Sequence, residues 1–294
     1  MSLSLTAIVV SHDSAGILPG CLEAFRQSGI PAIVVDNASK DDSAAVARAH
    51  GASVIENHQN EGYGRANNRG IRAAATEYVL IANPDLMLDE AALSKLGQAV
   101  ENYPDAGLYA PRIIEEDGRI FFKAQSLLSS YLRNDSGRLL LPEGDCCAPF
   151  FSGACLLVRR EEFLALGGFD ENIFLFYEDD DLCRRIADKG RALIWVHGAV
   201  ARHGRGRSSA PKKGRIFRSR WHQAWSRAYV SRKYGLPSPA LMMFLANGLK
   251  AIGAACLFNR NLRERYGGSA AGAWAALRGI DALVYEGLDK EGGR

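Results

Sequence analysis

The sequence predicts an α/β fold: a mainly parallel sheet with helices on both faces, followed by a helical C-terminal extension. Three observations point to it. Short β-branched runs recur through the first eighty residues, helical spacing fills the gaps between them, and beyond about residue 215 helical periodicity takes over. With 294 residues, 47% hydrophobic and 23% charged, the chain can form one large domain or two small ones. The same composition excludes disorder, collagen-like repeats and a disulfide scaffold.

The elements follow in order. LTAIVV at 5–10, PAIVV at 31–35, ASVIE at 52–56 and YVLIA at 78–82 read as buried strands. Between the first two, Ile17, Leu18, Leu22 and Phe25 carry helical spacing, as do Ala44, Ala45, Val46 and Ala49 before the third. Ligands of such sheets bind beyond the carboxyl ends of the strands, which singles out Ser11, His12, Asp13, Asp36, Asn37, Asn83, Pro84 and Asp85. From about 104 to 150 Gly, Pro and Asp turns break the pattern, and this stretch is expected to be an acceptor-side insertion. Order returns at 154–158, then an acidic cluster, Glu178 to Asp181, starts a helix, and ALIWV at 192–196 is a further strand. GRGRSSAPKKGR at 204–215 has loop composition, suited to a mobile lid. Trp221, Trp225, Ala228 and Tyr229 define one late helix, and Leu241, Leu245, Leu249, Ile252 and Cys256 another. Asn247 and Lys250 argue against that last helix spanning a membrane and for its lying on a surface.

Charge is polarised along the chain. Residues 1–188 hold 16 Lys and Arg against 28 Asp and Glu, whereas 189–263 hold 16 basic residues and no acidic one. The basic stretch could meet a phosphorylated small molecule, anionic lipid or nucleic acid. Tryptophans among arginines would suit base stacking by a non-enzymatic polyanion binder. Against that reading, no nucleic-acid motif is present and the acidic first part would repel a polyanion, so no nucleic-acid partner is expected. Six cysteines without CxxC spacing, and an N-terminus without a basic segment before its apolar run, fit a reduced, cytoplasmic protein with no zinc site.

Four groups of residues could carry chemistry. Asp36 and Asp85 are each ordinary turn or cap residues when taken singly, but together they lie at one edge of the expected sheet. Four adjacent acids, Glu178, Asp179, Asp180 and Asp181, exceed what a helix N-terminus asks for; their repulsion raises at least one pKa and suits a general base. NEGYGRANNRG at 60–70 offers close backbone approach and donors, including Arg65 and Asn67, for phosphate or sugar hydroxyls. His203, with His197 as its rival, could join Asp85 in a site for a hard cation, leaving positions for two phosphate oxygens. No GxGxxG follows the first strand, which argues against a nicotinamide or flavin enzyme.

Six segments in order, AIVVSHDS, IVVDNASKDDS, NEGYGRANNRGI, YVLIANPDL, FFSGACLLVRREEFLALGGFDENIFLFYEDDDLCRRIADKG and VARHGRGRS, resemble the inverting glycosyltransferases of family 2, which have the GT-A (Rossmann-like) fold. Within that family the chain looks most like rhamnosyltransferases of bacterial polysaccharide assembly. The resemblance implies a GT-A nucleotide-sugar and catalytic domain at 1–215. It leaves 216–294 as a helical module for the acceptor, a membrane surface or a homodimer. It also implies an enzyme that uses Mg2+ or Mn2+ and moves a rhamnose-like sugar from a nucleoside diphosphate to a lipid-linked or polysaccharide acceptor. A dTDP-sugar is favoured as donor, with UDP- or GDP-sugars as alternatives, and the expected setting is the cytoplasm or the inner membrane face. Asp36 would contact the base, Arg65 and Asn67 the phosphate or ribose, with Ser11, His12, Arg205 and Arg207 also on the donor side. Asp85 would be the last acid of the DxD motif and His203 its metal partner. Asp179 would be the catalytic base, with Glu178, Asp181 and Gly153 on the acceptor side. His12 and Asp13 depart from the family's Tyr-Asn pair, and Asn83 replaces the first acid of DxD.

Overall fold

A computed structural model describes residues 3–123, 126–128, 141–204 and 214–288. The chain divides into two compact units, 1–61, 65–169 and 179–210 forming one, and 62–64, 170–178 and 211–294 the other.

The first unit opens with β1 (Leu5–Ser11), α1 (Leu18–Gln27), β2 (Ala32–Asp36), α2 (Ser43–Ala49), β3 (Ser53–Glu56), α3 (Tyr63–Ala73) and β4 (Tyr78–Ala82). It continues with β5 (Leu86–Leu88), α4 (Glu90–Asn102), β6 (Leu108–Glu115), β7 (Ile120–Phe121), β8 (Cys146–Cys147) and β9 (Cys155–Arg159). Last come α5 (Arg160–Ala165), α6 (Glu178–Asp188) and β10 (Leu193–His203). Every residue of β1 and β4 is buried, as expected for strands covered on both faces. The sheet runs β3-β2-β1-β4-β9-β6-β10-β5, with β7 on β6 and β8 on β10. Its first four strands are parallel, but β9 pairs antiparallel with β4, as does β5 with β10, so the second half is mixed rather than parallel.

Helices fit this sheet closely. Leu18, Cys21, Leu22 and Phe25 of α1 are buried in the core beside Ala7, Val9 and Leu80, and full burial of a side chain such as Phe25 stabilises the fold by about 1.5–3 kcal/mol. Gly70 lets α3 lie flush on the sheet, because a Cβ there would stand 2.7 Å from Ile8 and 3.0 Å from Val35. Residues 104–150 are not a simple insertion: β6 is an eight-residue strand between β9 and β10. Pro111, which cannot donate a ladder hydrogen bond, sits where the register slips from Val196 to Val200, and the slip accommodates it.

The second unit is built on α7 (Arg215–Lys233), α8 (Ala240–Cys256), α9 (Arg260–Leu277) and α10 (Ala282–Tyr285). Gly268 and Gly272 bring α9 onto the α7 backbone, where a Cβ would fall 2.3 Å from the Phe217 carbonyl oxygen and 2.1 Å from that of Trp221. Trp221 stacks on Tyr285 at 3.9 Å, and Trp225 donates its indole N–H to the Ile280 carbonyl at 2.7 Å. Both tryptophans are buried, so neither faces a membrane or a nucleobase. Two cations of the basic stretch serve inside the unit: Lys233 binds Asp170 at 2.7 Å and Arg218 pairs with Glu286. Among the described residues, no helix is long and apolar enough to cross a membrane. All six cysteines are free thiols.

Candidate active site

The carboxyl ends of β1, β2, β4 and β10 converge on one edge of the sheet. Ser11 is in register with Asp36 and Val9 with Ala82, while His203 closes β10 opposite Leu86, just past the end of β4. β9 enters at the same edge, since the Asn83 N–H donates to the Ala154 carbonyl at 3.0 Å. Residues far apart in sequence are brought together by these registers.

At the β1–β2 corner, Asp36 accepts from the Ser11 hydroxyl at 2.9 Å and from the Ser39 amide at 3.0 Å. Asn37 accepts from Asn57 and from the Glu61 amide, each at 3.0 Å, and donates to Asn60 at the same distance. His12 is half-buried, with Nδ1 at 2.9 Å from the Asn37 carbonyl. Two non-glycine residues here, Asp13 (φ 54°) and Ala38 (φ 59°), hold left-handed backbone. Asp13 meets that demand by accepting the Lys40 amide at 2.7 Å. Nothing in the spacing of SHDS or DNAS signals this strain, and such strain concentrates at functional sites. Arg65, in the first turn of α3, is partly exposed, whereas Ser11 is fully buried, and so is Asn67. Its neighbour Asn68 clamps Phe169 through two hydrogen bonds of 3.0 and 2.8 Å.

Asp85 and His203 meet beyond β4 and β10. Nε2 of His203 lies 3.2 Å from an Asp85 carboxylate oxygen and 3.2 Å from the Asn83 amide nitrogen. One ring nitrogen serves only one of these neighbours at a time: with a lone pair it accepts from Asn83, and with a proton it donates to Asp85. A cation between oxygen and nitrogen would engage that lone pair and the carboxylate together, and 3.2 Å is close to the roughly 3.0 Å between two ligands at right angles on an ion bound at about 2.1 Å. The residues present therefore fit a hard divalent cation, whose binding at Nε2 would displace the Asn83 amide from that nitrogen. Among the described residues no cluster of three or more His, Cys, Asp or Glu could hold a metal by itself. Asp85 and His203 border a cleft of about 420 Å³ with Glu115, Glu116 and Arg202. The rival His197 lies instead in the β10 bulge, against Trp195 and 3.4 Å from Arg112.

The members of the acidic cluster differ in their surroundings. Asp179 accepts from the Gly153 amide at 3.1 Å and from the Asp180 amide at 3.0 Å, and burial pushes its carboxyl above the usual range. Burial, reinforced by the charge on Asp179, pushes Asp180 up to about 7. Lys123, whose place beside the pair the sequence did not reveal, opposes both shifts. Asp181, expected on the acceptor side, is fully buried and pairs with Arg185 at 2.8 Å. Arg185 in turn donates to the carbonyls of Leu166 and Gly168. Glu178 is buried at the start of α6, directly after Phe176 and Tyr177, whose φ values of 68° and 69° place two aromatic residues in left-handed backbone. Arg205 and Arg207, with the lid expected around them, lie outside the described residues.

Residues 6–166 match the family model for glycosyl transferase family 2. The N-acetylglucosaminyl-diphospho-decaprenol L-rhamnosyltransferase of Mycobacterium tuberculosis is 28% identical over 247 residues, covering 70% of this chain and 80% of that one. The dTDP-rhamnosyl transferase RfbF of Shigella flexneri is 25% identical over 209 residues, 67% of each chain. Among solved structures, the mannosyltransferase PcManGT of Pyrobaculum calidifontis, in complex with GDP-Man and Mn2+, superposes with a TM-score of 0.57 at 17% identity. That likeness covers 93% of this chain and 87% of that one.

Proposed function

Starting from the fact that this chain belongs to glycosyl transferase family 2 and has the GT-A fold, we propose that it transfers L-rhamnose from dTDP-rhamnose to a hydroxyl of a lipid-linked or polysaccharide acceptor. The observation that carries the reading is the gathering of Asp36, Asp85, His203 and Asp179 at one edge of the sheet through its strand registers. The names of the two relatives support the sugar, the donor and the class of acceptor. A lipid-linked acceptor would bring the chain to the inner face of the cell membrane.

Each group has its part in the proposed transfer. The β1–β2 corner, with Ser11, His12 and Asp36, binds the base and ribose, and Arg65 holds donor phosphate. Asp85 and His203 would hold Mg2+ or Mn2+, which when bound supplies positive charge opposite the departing diphosphate. Asp179 takes the acceptor hydroxyl proton as that oxygen forms its bond to the anomeric carbon and the bond to the diphosphate breaks. One displacement of this kind inverts the anomeric configuration. Burial suits Asp179 to the role, since a base with a raised pKa accepts a proton more readily near neutral pH. Gly153 orients it through the backbone, without a side chain in the way.

The test is transfer by the purified chain from dTDP-rhamnose, beside UDP- and GDP-sugars, to a polyprenyl-diphosphate N-acetylglucosamine acceptor, with each metal and with none. Product with inverted configuration from dTDP-rhamnose alone is expected, and Asp179→Asn should lower kcat by about 10²–10⁴ with donor affinity kept. Preference for another nucleotide, retained configuration, or full turnover by the variant would each overturn the corresponding assignment.

A further inference from the structure

α8 presents a face that the second unit leaves open. At 100° per residue, Leu241, Ile252, Leu245, Cys256, Leu249 and Met242 fall within an arc of about 100°. All six are exposed, Met242 to 77% and Leu249 to 72%. The apolar surface continues onto α9, where Trp274, 44% exposed, lies 5.0 Å from Phe244 with Arg278 5.6 Å from its ring. At the α8–α9 turn stands Phe258, 96% exposed and in left-handed backbone at φ 51°. The turn is firmly built: the Phe258 amide donates to Ala255, the Asn259 amide to Ala254, and the Asn259 side chain caps α9 at the Leu262 amide. A strained backbone thus holds an aromatic ring out in water, which is unfavourable for both backbone and ring.

Charge identifies what covers this face. No acidic residue occurs from 189 to 263; Lys250, about 80° beyond the apolar arc with its Nζ 5.7 Å from the Tyr266 ring, and Arg263, after the turn, are both exposed, as is Arg278 beside Trp274. A second copy laid on the same face would oppose cation to cation, whereas an anionic surface complements it. We propose that the outward face of α8, with Leu257 and Phe258 at its end, inserts into the headgroup boundary of a bilayer containing anionic lipid, the helix lying in the membrane plane. This is independent of the donor and acceptor assigned above, and its test reads vesicle binding instead of transfer.

The experiment is co-sedimentation of the full chain with phosphatidylcholine vesicles, with or without phosphatidylglycerol, at low and high salt. Binding is expected on the anionic vesicles and should weaken with salt. Phe258→Gly removes the ring and relieves the backbone, so it should unfold no more easily than the parent yet bind about tenfold more weakly. Lys250→Gln with Arg263→Gln should weaken binding to anionic vesicles about 25-fold, at about fivefold per charge. Absence of wild-type binding, or binding unchanged in both variants, would overturn the proposal. So would a dimer in sedimentation equilibrium that Leu249→Asp makes monomeric without altering vesicle binding, since a second copy would then be the occupant.

Discussion

Replacing Asp180 with Asn isolates the electrostatics of the carboxylate pair. The Asp180 carboxyl is buried beside Asp179, and its pKa stands at about 7 against an ordinary 3.8. At about 1.4 kcal/mol per unit, ionising it in the folded chain opposes stability by something on the order of 4 kcal/mol. Because the folded value lies above the unfolded one, the associated stability is fully present below the unfolded pKa. It is lost as pH rises through the folded one. Wild-type stability to urea should therefore fall between about pH 4 and pH 8. Asn keeps an acceptor for the Ser126 hydroxyl that now serves Asp180 and carries no charge, so D180N should remove most of that slope. Equal pH slopes for D180N and wild type in urea unfolding would refute the reasoning, because the charge penalty would then lie elsewhere.

Other expectations follow from single contacts. Asp85→Ala should weaken the Mn2+-dependent affinity for dTDP by at least about tenfold while leaving metal-free affinity in place, as read by calorimetry; equal loss in both conditions would separate Asp85 from the cation. Gly168→Ala combines a φ of 69° with a Cβ 2.5 Å from the Asn68 side-chain oxygen, and should destabilise the first unit by about 2–4 kcal/mol in thermal unfolding. Gly272→Val should force α9 from the Trp221 backbone and perturb tryptophan fluorescence, with a cost above about 3 kcal/mol in the second unit. A wild-type spectrum and midpoint would contradict the close approach of α7 and α9.

The legible parts of the fold were those written in local pattern. Strands β1, β2 and β4 are mainly apolar runs, and acids after β2 and β4 stand where a parallel sheet puts its ligands, whereas β3, expected to be buried, is an edge strand with both ends exposed. Strand β6 was hidden because Pro111 interrupts its pattern, and its place in the sheet depends on a slip in β10 eighty-five residues downstream. For the same reason sequence left His197 and His203 as rivals: only the register of β10 against β5 brings one of them to Asp85 and leaves the other in the bulge. Asp181 looked equivalent to its neighbours in the acidic run, yet helical geometry points it at Arg185, four residues on. Tryptophans among arginines suggested a surface, whereas Trp221 and Trp225 are core residues, because α10 and the segment after α9 fold back to cover them.

The same registers set the order in which a growing chain acquires its parts. The Ser11–Asp36 corner needs only neighbouring strands, but Asn83 and Asp85 wait for a histidine 120 residues beyond Asn83. At about 5–20 residues per second, synthesis from Asp36 to His203 takes roughly ten to thirty seconds. A nascent chain in that interval has its Ser11–Asp36 corner and lacks the imidazole that faces Asp85. On the proposed role of that pair, affinity for a metal would arrive with the last strand of the sheet, while the helices of the second unit were still to be made.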